Sequence, residues 1–371
     1  MMIDRDFRML IGGRLVPGAA RLAVENPATG DIFAEAPDAS PADLDAAVAA
    51  ARGAFAGWRD TPIEARRKAI VALADRLIEE VEPMKRLLTR EQGKPHKDAA
   101  EEVLGAASWL KAAASLDIPV TVNEDSAERY SETRHVPIGV VAAIAPWNYP
   151  LILASFKLGP ALLAGNCVIL KPSPFTPLTA LKLGELAADI FPAGVLNVIS
   201  GGDTLGPWLT GHAGIDKVSF TGSTATGKKV MAAASGTLKR VTLELGGNDP
   251  AIVMHDVDAE AIAERIFWAA FGNAGQICIA SKRIYVHEQV YDALRDALVA
   301  YARTVKVGDG ADQGTQIGPV NNGLQYERVL DLIRDARAQG YAILTGDDEE
   351  RTPGHFIPVT IIDNPPEDSR I

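Results

Sequence analysis

Two residues in the sequence have the chemical character of a nucleophile and a base. Cys278 follows Gly275-Gln276 at the end of a helical pattern, where a thiolate could attack an electrophilic carbon. Glu244 lies between two leucines, so desolvation should raise the pKa of its carboxyl toward the range that suits a general base. Taken alone, each also fits an ordinary alternative, an inert core cysteine and a carboxylate paired with a distant basic residue.

A third polar candidate is Asn148, which lies between two prolines in Pro146-Trp147-Asn148-Tyr149-Pro150. A side-chain amide in a loop of defined shape could donate a hydrogen bond to a developing oxyanion. The alternative is that Asn148 caps the helix predicted to start near Leu151. The local sequence by itself favours the capping interpretation.

Phosphate binding is indicated at a turn that follows another apolar run. Gly222 and Gly227-Lys228 have the spacing of a Walker A loop, with a helix N-terminus that favours an anion. Lys229 stands where a magnesium-binding Ser or Thr would be required, which argues against ATPase chemistry. The alternative is a structural turn.

Lys171 follows an earlier apolar run, Cys167–Leu170. Its side chain could contact a ribose or a phosphate, or it could simply extend to the protein surface.

Short apolar runs alternating with helical segments position these residues. The alternation predicts βαβ units and an α/β fold with a parallel sheet, whose ligands collect at the carboxyl ends of the strands. The predicted strands are Gly139–Ala145, Cys167–Leu170, Val195–Ile199, Lys217–Phe220 and Val241–Leu245. Two helices are predicted before them, over 45–58 and 65–88, and a polar hairpin over 117–132. A second α/β section follows, beginning with a helix over 258–276.

Composition narrows the class of protein. A chain of 371 residues suggests two domains, and a net charge of −11 argues against nucleic-acid partners and anionic membranes. Two cysteines are too few for a disulfide framework, and the first residues lack an apolar signal region, so a cytoplasmic location is expected. The six histidines lack metal-ligand spacing, so no metal site is predicted.

One uncharged stretch, Ile138–Phe156, is about long enough to cross a bilayer. Pro146 and Pro150 interrupt it, and proline breaks helical hydrogen bonding. We therefore expect a buried strand, a loop and a helix start rather than a membrane span. Cys167, within the next apolar run, is expected to be an inert core residue.

Taken together, these motifs closely resemble the aldehyde dehydrogenase superfamily. Glu244 and Cys278 are 34 residues apart (278 − 244), which matches the usual separation in that family. Gly318-Pro319-Val320 and Gln325 fit as well, and the resemblance covers nearly the whole chain. The motifs are Pro146-Trp147-Asn148, Lys171-Pro172-Ser173, Phe220-Thr221-Gly222-Ser223, Leu243-Glu244-Leu245-Gly246-Gly247 and Gly275-Gln276-Ile277-Cys278.

The resemblance implies oxidation of an aldehyde to a carboxylic acid. Cys278 would attack the aldehyde carbon, and the Asn148 amide with the Cys278 backbone N–H would stabilise the oxyanion. Hydride transfer to the nicotinamide would leave a thioester, and Glu244 would activate the water that hydrolyses it. The presence of Glu244 favours a free acid over acyl transfer to coenzyme A.

The resemblance also implies NAD or NADP as cofactor. Lys171 would contact the adenosine ribose, Ser223 and the helix after it the pyrophosphate, and Gln325 a ribose. Pro174 stands where many NAD-preferring members have a Glu, yet NAD remains favoured over NADP. The full set of cofactor-binding residues expected from the family's motifs is Trp147, Lys171, Ser173, Gly222, Ser223, Gly227, Leu245 and Gln325.

The implied architecture is a Rossmann-like cofactor domain over 1–245, a catalytic domain over 246–371 and a small β oligomerisation arm with its hairpin near 117–134. A homodimer or homotetramer is expected for the complete enzyme, with a small-molecule aldehyde as substrate. Family members continue past the position of Ile371, so this chain is expected to lack a C-terminal part of the catalytic domain. The alternative is a non-catalytic remnant that only binds cofactor or assembles.

Overall fold

A computed structural model of the chain describes residues 6–346 and 353–371. Residues 1–5, the first part of the N-terminal stretch considered for a signal peptide, lie outside the described residues. The chain forms two compact units. Unit 1 contains the chain up to Val24, Ala34–Met84 and Ala100–Glu244, and unit 2 contains Glu25–Phe33, Lys85–Ala99 and Leu245–Ile371.

The secondary structure of unit 1 mixes short strands with longer helices. Its first elements are β1 Met9–Ile11, β2 Arg14–Val16, β3 Ala20–Glu25, β4 Ile32–Asp38, α1 Pro41–Asp60, α2 Ile63–Glu79, α3 Val81–Gln92 and α4 His96–Ala114. The next are β5 Thr121–Asp125, β6 Tyr130–Thr133, β7 Val140–Ile144, α5 Pro150–Leu163, β8 Cys167–Lys171, α6 Leu178–Ala187, β9 Leu196–Val198, α7 Leu205–Gly211, β10 Lys217–Gly222, α8 Thr224–Ser235 and β11 Arg240–Leu245. Strands β3 and β4 and helices α3 and α4 include some residues of unit 2.

A seven-stranded sheet organises unit 1, with strand order β11-β10-β7-β8-β9-β1-β2. Strands β10, β7, β8 and β9 are parallel, as the βαβ alternation predicted. Ile144 of β7 pairs with both Phe220 of β10 and Lys171 of β8, so these three strands end at one edge of the sheet. Every residue of β7, β8 and β9 is buried, which accounts for their continuous apolar sequences.

Several sequence-based boundaries in unit 1 differ from those observed. The helix predicted over 65–88 is two helices, α2 and α3, which meet at Glu80. Strands β1 and β2 extend the sheet in antiparallel fashion, and their short sequences carried no clear alternation. The polar hairpin near 117–132 is confirmed as the antiparallel pair β5 and β6.

Unit 2 has its own smaller apolar core. Its elements are β12 Pro250–Val253, α9 Ala259–Phe271, β13 Arg283–Val286, α10 Tyr291–Ala302, α11 Gly323–Ala338, β14 Ala342–Thr345 and β15 Ile361–Asp363. Strands β12 and β13 form a parallel pair, and β14 and β15 an antiparallel pair. Helices α9 and α10 pack together around Phe267, Leu294 and Leu298. Residues 25–33 and 85–99, far earlier in the chain, belong to this unit, whereas the sequence-based division was continuous.

The uncharged stretch considered for a membrane span contains β7, a loop and the start of α5. This is the strand, loop and helix expected from its prolines. Among the described residues, no helix combines the length and the hydropathy that a bilayer span requires.

Candidate active site

Asn148 lies in the loop between β7 and α5, and a buried carboxylate fixes the helix that follows it. Glu102 Oε1 accepts hydrogen bonds from the backbone N–H of Leu151 at 2.9 Å and of Ile152 at 3.4 Å. Tyr149, at the N-cap position, provides no side-chain cap. Glu102 therefore satisfies the N–H groups that a capping asparagine would serve, and the capping interpretation of Asn148 is wrong.

Lys171 ends β8 and is buried, so it does not simply reach the surface. Its Nζ donates a hydrogen bond to the Pro172 carbonyl at 3.1 Å. Burial lowers the pKa of its amine to about 8, while the charges of Asp203 and Asp38 act in the opposite direction. A desolvated cation with two carboxylates nearby therefore lies at the sheet edge where ligands are expected.

The segment after β8 is held by Ser173. This residue is buried, and its hydroxyl accepts a hydrogen bond from the Phe175 N–H at 3.2 Å. Its carbonyl accepts another from the Thr176 N–H at 3.2 Å. Ser173 therefore shapes the turn that carries Pro174, in addition to any role in ligand binding.

The glycine-containing turn after β10 is short, because the strand continues to Gly222 and the helix begins at Thr224. The strand runs through Gly222, and Ser223 is the N-cap of α8, its hydroxyl accepting from the Thr226 N–H at 3.1 Å. Gly227 lies inside the helix and donates its N–H to the Ser223 carbonyl at 2.9 Å. The Ser223 cap starts the helix before Gly227, so Gly222 and Gly227 do not enclose a long loop of the Walker A type. What remains is a helix N-terminus at the ligand-binding edge.

A buried lysine that the sequence did not single out lies behind this edge. Lys157 of α5 donates to Thr221 Oγ1 at 2.7 Å and to Ser219 Oγ at 3.4 Å. Burial lowers the pKa of its amine to about 8, the charge of Glu244 raises it and that of Lys217 lowers it. The amine is therefore an ionisable group close enough to interact with the Glu244 carboxylate.

Glu244 lies on β11, where exposed and half-buried residues alternate. Its side chain is exposed, so the desolvation expected from its leucine neighbours is not found. Because alternate residues of a strand point to opposite faces, Leu243 and Leu245 lie on the face opposite to Glu244 and cannot cover its carboxylate.

Cys278 lies in a turn closed by the Ala280 N–H and the Ile277 carbonyl at 3.2 Å, and it is half-buried. The helix expected through residue 276 ends at Phe271. Asn273, Ala274 and Gly275 follow with φ of 51°, 56° and 71°. Three successive left-handed residues cannot continue a right-handed helix, and they redirect the chain toward Cys278.

Two neighbours in unit 2 approach the Cys278 turn. A Cβ on Gly247 would lie 3.2 Å from the Cys278 carbonyl oxygen, so the glycine allows the two backbones to come close, as expected. Burial lowers the pKa of Lys282, whereas Asp249 and Cys278 raise it. The Lys282 amine therefore lies close enough to Cys278 and Asp249 to interact with them electrostatically.

The two cysteines differ in environment. Cys167 is buried within β8, and burial raises the pKa of its thiol to about 12, as expected of an inert core residue. Cys278 is more accessible. Among the described residues, no cluster of three histidine, cysteine or acidic side chains could hold a metal ion.

The remaining expected residues divide between the units. Trp147 is half-buried in the Asn148 loop of unit 1. Leu245 ends β11 and opens unit 2, which also contains Cys278. Gln325 is half-buried in the first turn of α11, where its N–H donates to Asn322 Oδ1 at 3.1 Å. Asn148, Lys171 and Ser223 are thus brought to one sheet edge, while Cys278 and Gln325 belong to unit 2.

A parallel sheet with a buried lysine and a helix N-terminus at the carboxyl ends of its strands is typical of nucleotide-binding α/β proteins. The sequence matches the aldehyde dehydrogenase family over residues 16–371. The chain belongs to that family and is an NAD(P)-dependent aldehyde dehydrogenase.

Individual relatives agree with this assignment. The chain is 45% identical to a probable aldehyde dehydrogenase of Pseudomonas sp, over 99% of its own length and 75% of the relative's. It is 40% identical to a phenylacetaldehyde dehydrogenase of Pseudomonas fluorescens, over 96% of its own length and 74% of the relative's. Its structure resembles that of an aldehyde dehydrogenase from Bacillus cereus in complex with NAD+, with a TM-score of 0.92 at 35% identity, over 99% and 77% of the two chains.

Proposed function

We propose that the protein oxidises an aldehyde to a free carboxylic acid through a covalent thioester on Cys278. The observation that carries this proposal is the common end of β7, β8 and β10, which brings the Asn148 loop, Lys171 and the Ser223 helix start to one edge of the sheet. In parallel α/β sheets this edge binds the ligand.

In the proposed reaction, the Cys278 thiolate forms a bond to the aldehyde carbon, and the carbonyl oxygen becomes an oxyanion. The Asn148 amide donates a hydrogen bond to that oxygen and stabilises its charge. Glu244 removes a proton from the water that later attacks the thioester carbon, which releases the acid and restores the thiol. When bound, NAD(P)+ would accept the hydride that the carbon attached to Cys278 must lose before it can become a thioester.

The residues at the sheet edge fit a dinucleotide. Lys171 has a desolvated amine that would bind ribose hydroxyls, and the N-terminus of α8 presents backbone N–H groups beyond Ser223 to a pyrophosphate. The other residues proposed to contact the cofactor are Trp147, Ser173, Gly222, Gly227 and Leu245, and Gln325 is proposed as a further ribose contact.

We propose NAD rather than NADP as the preferred cofactor. Asp203 and Asp38 both act electrostatically on the Lys171 amine, so their carboxylates lie near the proposed ribose site. Asp38 Oδ1 also accepts from the Gly202 N–H at 3.0 Å, which fixes the loop that carries Asp203. Carboxylates at this place would repel the 2′-phosphate of NADP. Pro174 carries no charge and could not repel it.

An exposed aromatic pair in unit 1 suggests the kind of aldehyde. Trp109 of α4 and Phe156 of α5 have ring centroids 4.1 Å apart, although 48% and 39% of their surfaces remain exposed. Phe156 lies in the second turn of α5, the helix that follows the Asn148 loop. We propose that an apolar or aromatic substituent of the aldehyde packs on this pair.

The β5–β6 hairpin supports a proposal on assembly. All five residues of β5 are exposed, among them Val122, and Tyr130 of β6 is 59% exposed. We propose that this hairpin acts as an arm that joins copies of the chain into a homodimer or homotetramer in the cytoplasm.

The two cysteines provide a matched test of the nucleophile. We expect Cys278→Ala to abolish aldehyde-dependent NADH formation, and Cys167→Ala to retain at least half of it once the rate is normalised to folded protein. Retained activity in Cys278→Ala would remove the nucleophile assignment.

A further inference from the structure

The Gln276 side chain bridges two segments of unit 2 immediately before Cys278. Its Nε2 donates to the Asn273 carbonyl at 2.9 Å and to the Pro319 carbonyl at 3.4 Å. Its Oε1 accepts from the backbone N–H of Asn321 at 2.9 Å. The amide group of Gln276 therefore uses both its donor and its acceptor. It connects the backbone at Asn273, shortly before Cys278, to the backbone of residues 319–321.

The backbone that Gln276 holds has an unfavourable conformation. Asn273 and Ala274 have φ of 51° and 56°, although both carry a Cβ that disfavours the left-handed region. Such a conformation persists only where surrounding contacts determine it. The hydrogen bond from the Gln276 side chain to the Asn273 carbonyl is such a contact. Gln276 itself lies two residues before Cys278 in the sequence.

The far end of the bridge is itself anchored. Asn321 is buried, and its Nδ2 donates to the carbonyls of Glu91 at 2.9 Å and Gln92 at 3.2 Å. These carbonyls belong to a third segment of unit 2. The 319–321 segment is therefore a fixed support, and Gln276 transmits its position to the turn that carries Cys278.

We propose that Gln276 is a positioning residue for the nucleophile, holding the left-handed turn against the 319–321 segment so that the Cys278 sulfur keeps its reactive orientation. The proposal rests on the proposed function in taking Cys278 as the nucleophile. Gln276 touches neither aldehyde nor cofactor in this role, so it should affect the chemical step more than the binding of either.

The test compares kcat with KM in Gln276→Ala, Gln276→Glu and Gln289→Ala. Gln289 is exposed in the same unit and serves as the matched control. Rates are normalised to folded protein, measured by circular dichroism and size-exclusion chromatography. We expect Gln276→Ala to lower kcat at least tenfold, with KM for NAD+ and aldehyde changing less than threefold. Gln276→Glu keeps the acceptor for the Asn321 N–H but places a carboxylate oxygen against the Asn273 and Pro319 carbonyls, so its kcat should also fall clearly below that of the wild type.

Two results would overturn the proposal. One is a kcat in Gln276→Ala within twofold of that in Gln289→Ala after normalisation. The other is a rise in both KM values that accounts for the whole loss of kcat/KM. If Gln276→Ala fails to fold, the test rests on Gln276→Glu. A kcat in Gln276→Glu equal to that of the wild type would reject the positioning role. An active Cys278→Ala would instead reject the proposed function, so the two failures are distinguishable.

Discussion

Lys157 Nζ lies 2.7 Å from Thr221 Oγ1, so a buried amine of α5 is fixed against the strand that leads to the Ser223 helix start. Burial lowers the pKa of this amine to about 8 from its usual 10.5. Below pH 8 both folded and unfolded chains hold the proton, and the buried charge reduces stability. Between about pH 8 and 10.5 the unfolded chain binds more protons, so the free energy of unfolding should rise with pH.

We therefore expect Lys157→Met to remove part of that rise, up to about 1.4 kcal/mol per pH unit. The measurement is urea denaturation between pH 7.5 and 10, with Lys229→Met, an exposed lysine of α8, as control. Equal slopes in Lys157→Met and wild type would show that the Lys157 amine does not titrate in this range.

Cofactor preference should depend on Asp203. We expect wild-type protein to bind NAD+ more tightly than NADP+, and Asp203→Ser to reduce the ratio of the two dissociation constants by about tenfold, since about 1.4 kcal/mol of repulsion corresponds to that factor. Calorimetric titration with each cofactor measures this directly. Asp125→Ser, on the exposed hairpin strand β5, is the control. A ratio unchanged by Asp203→Ser would exclude Asp203 as the discriminating charge.

Substrate preference should depend on Trp109. We expect Trp109→Ala to lower kcat/KM for phenylacetaldehyde by about tenfold, the effect of losing roughly 1–2 kcal/mol of apolar contact. The value for acetaldehyde, which has no aromatic substituent to pack on the ring, should change less than threefold. Trp208→Ala removes a tryptophan of similar exposure, 39%, on α7 and should change neither value. Equal losses for both aldehydes would contradict an aromatic binding surface.

The parallel sheet and its ligand edge could be predicted because they depend on local patterns. Continuous apolar runs marked β7 and β8, and parallel strands bring their carboxyl ends together, so Asn148 and Lys171 were expected at one edge. Cys167 was likewise identified as inert from its place in such a run.

Other features depend on contacts that a local pattern does not contain. Lys157 and Glu102 are charged residues within helices, and the partners that make their burial possible lie 64 and 49 positions away. Glu244 was expected to be covered by leucines, yet strand alternation places those leucines on the other face. The predicted end of α9 was too late. Gly272, Asn273 and Gly275 follow Phe271 and are residue types that end helices, although no proline marks the stop.

The most direct test of the account is to trap the acyl group on Cys278. Glu244→Gln protein is mixed with NAD+ and an aldehyde, quenched in acid and analysed by intact and peptide mass spectrometry. If Glu244 activates the hydrolytic water, about one NADH per chain forms in a burst, and the acyl mass remains on the peptide that contains Cys278. An unmodified Cys278 peptide in protein that has formed NADH, or sustained turnover at the wild-type rate, would contradict the central claim.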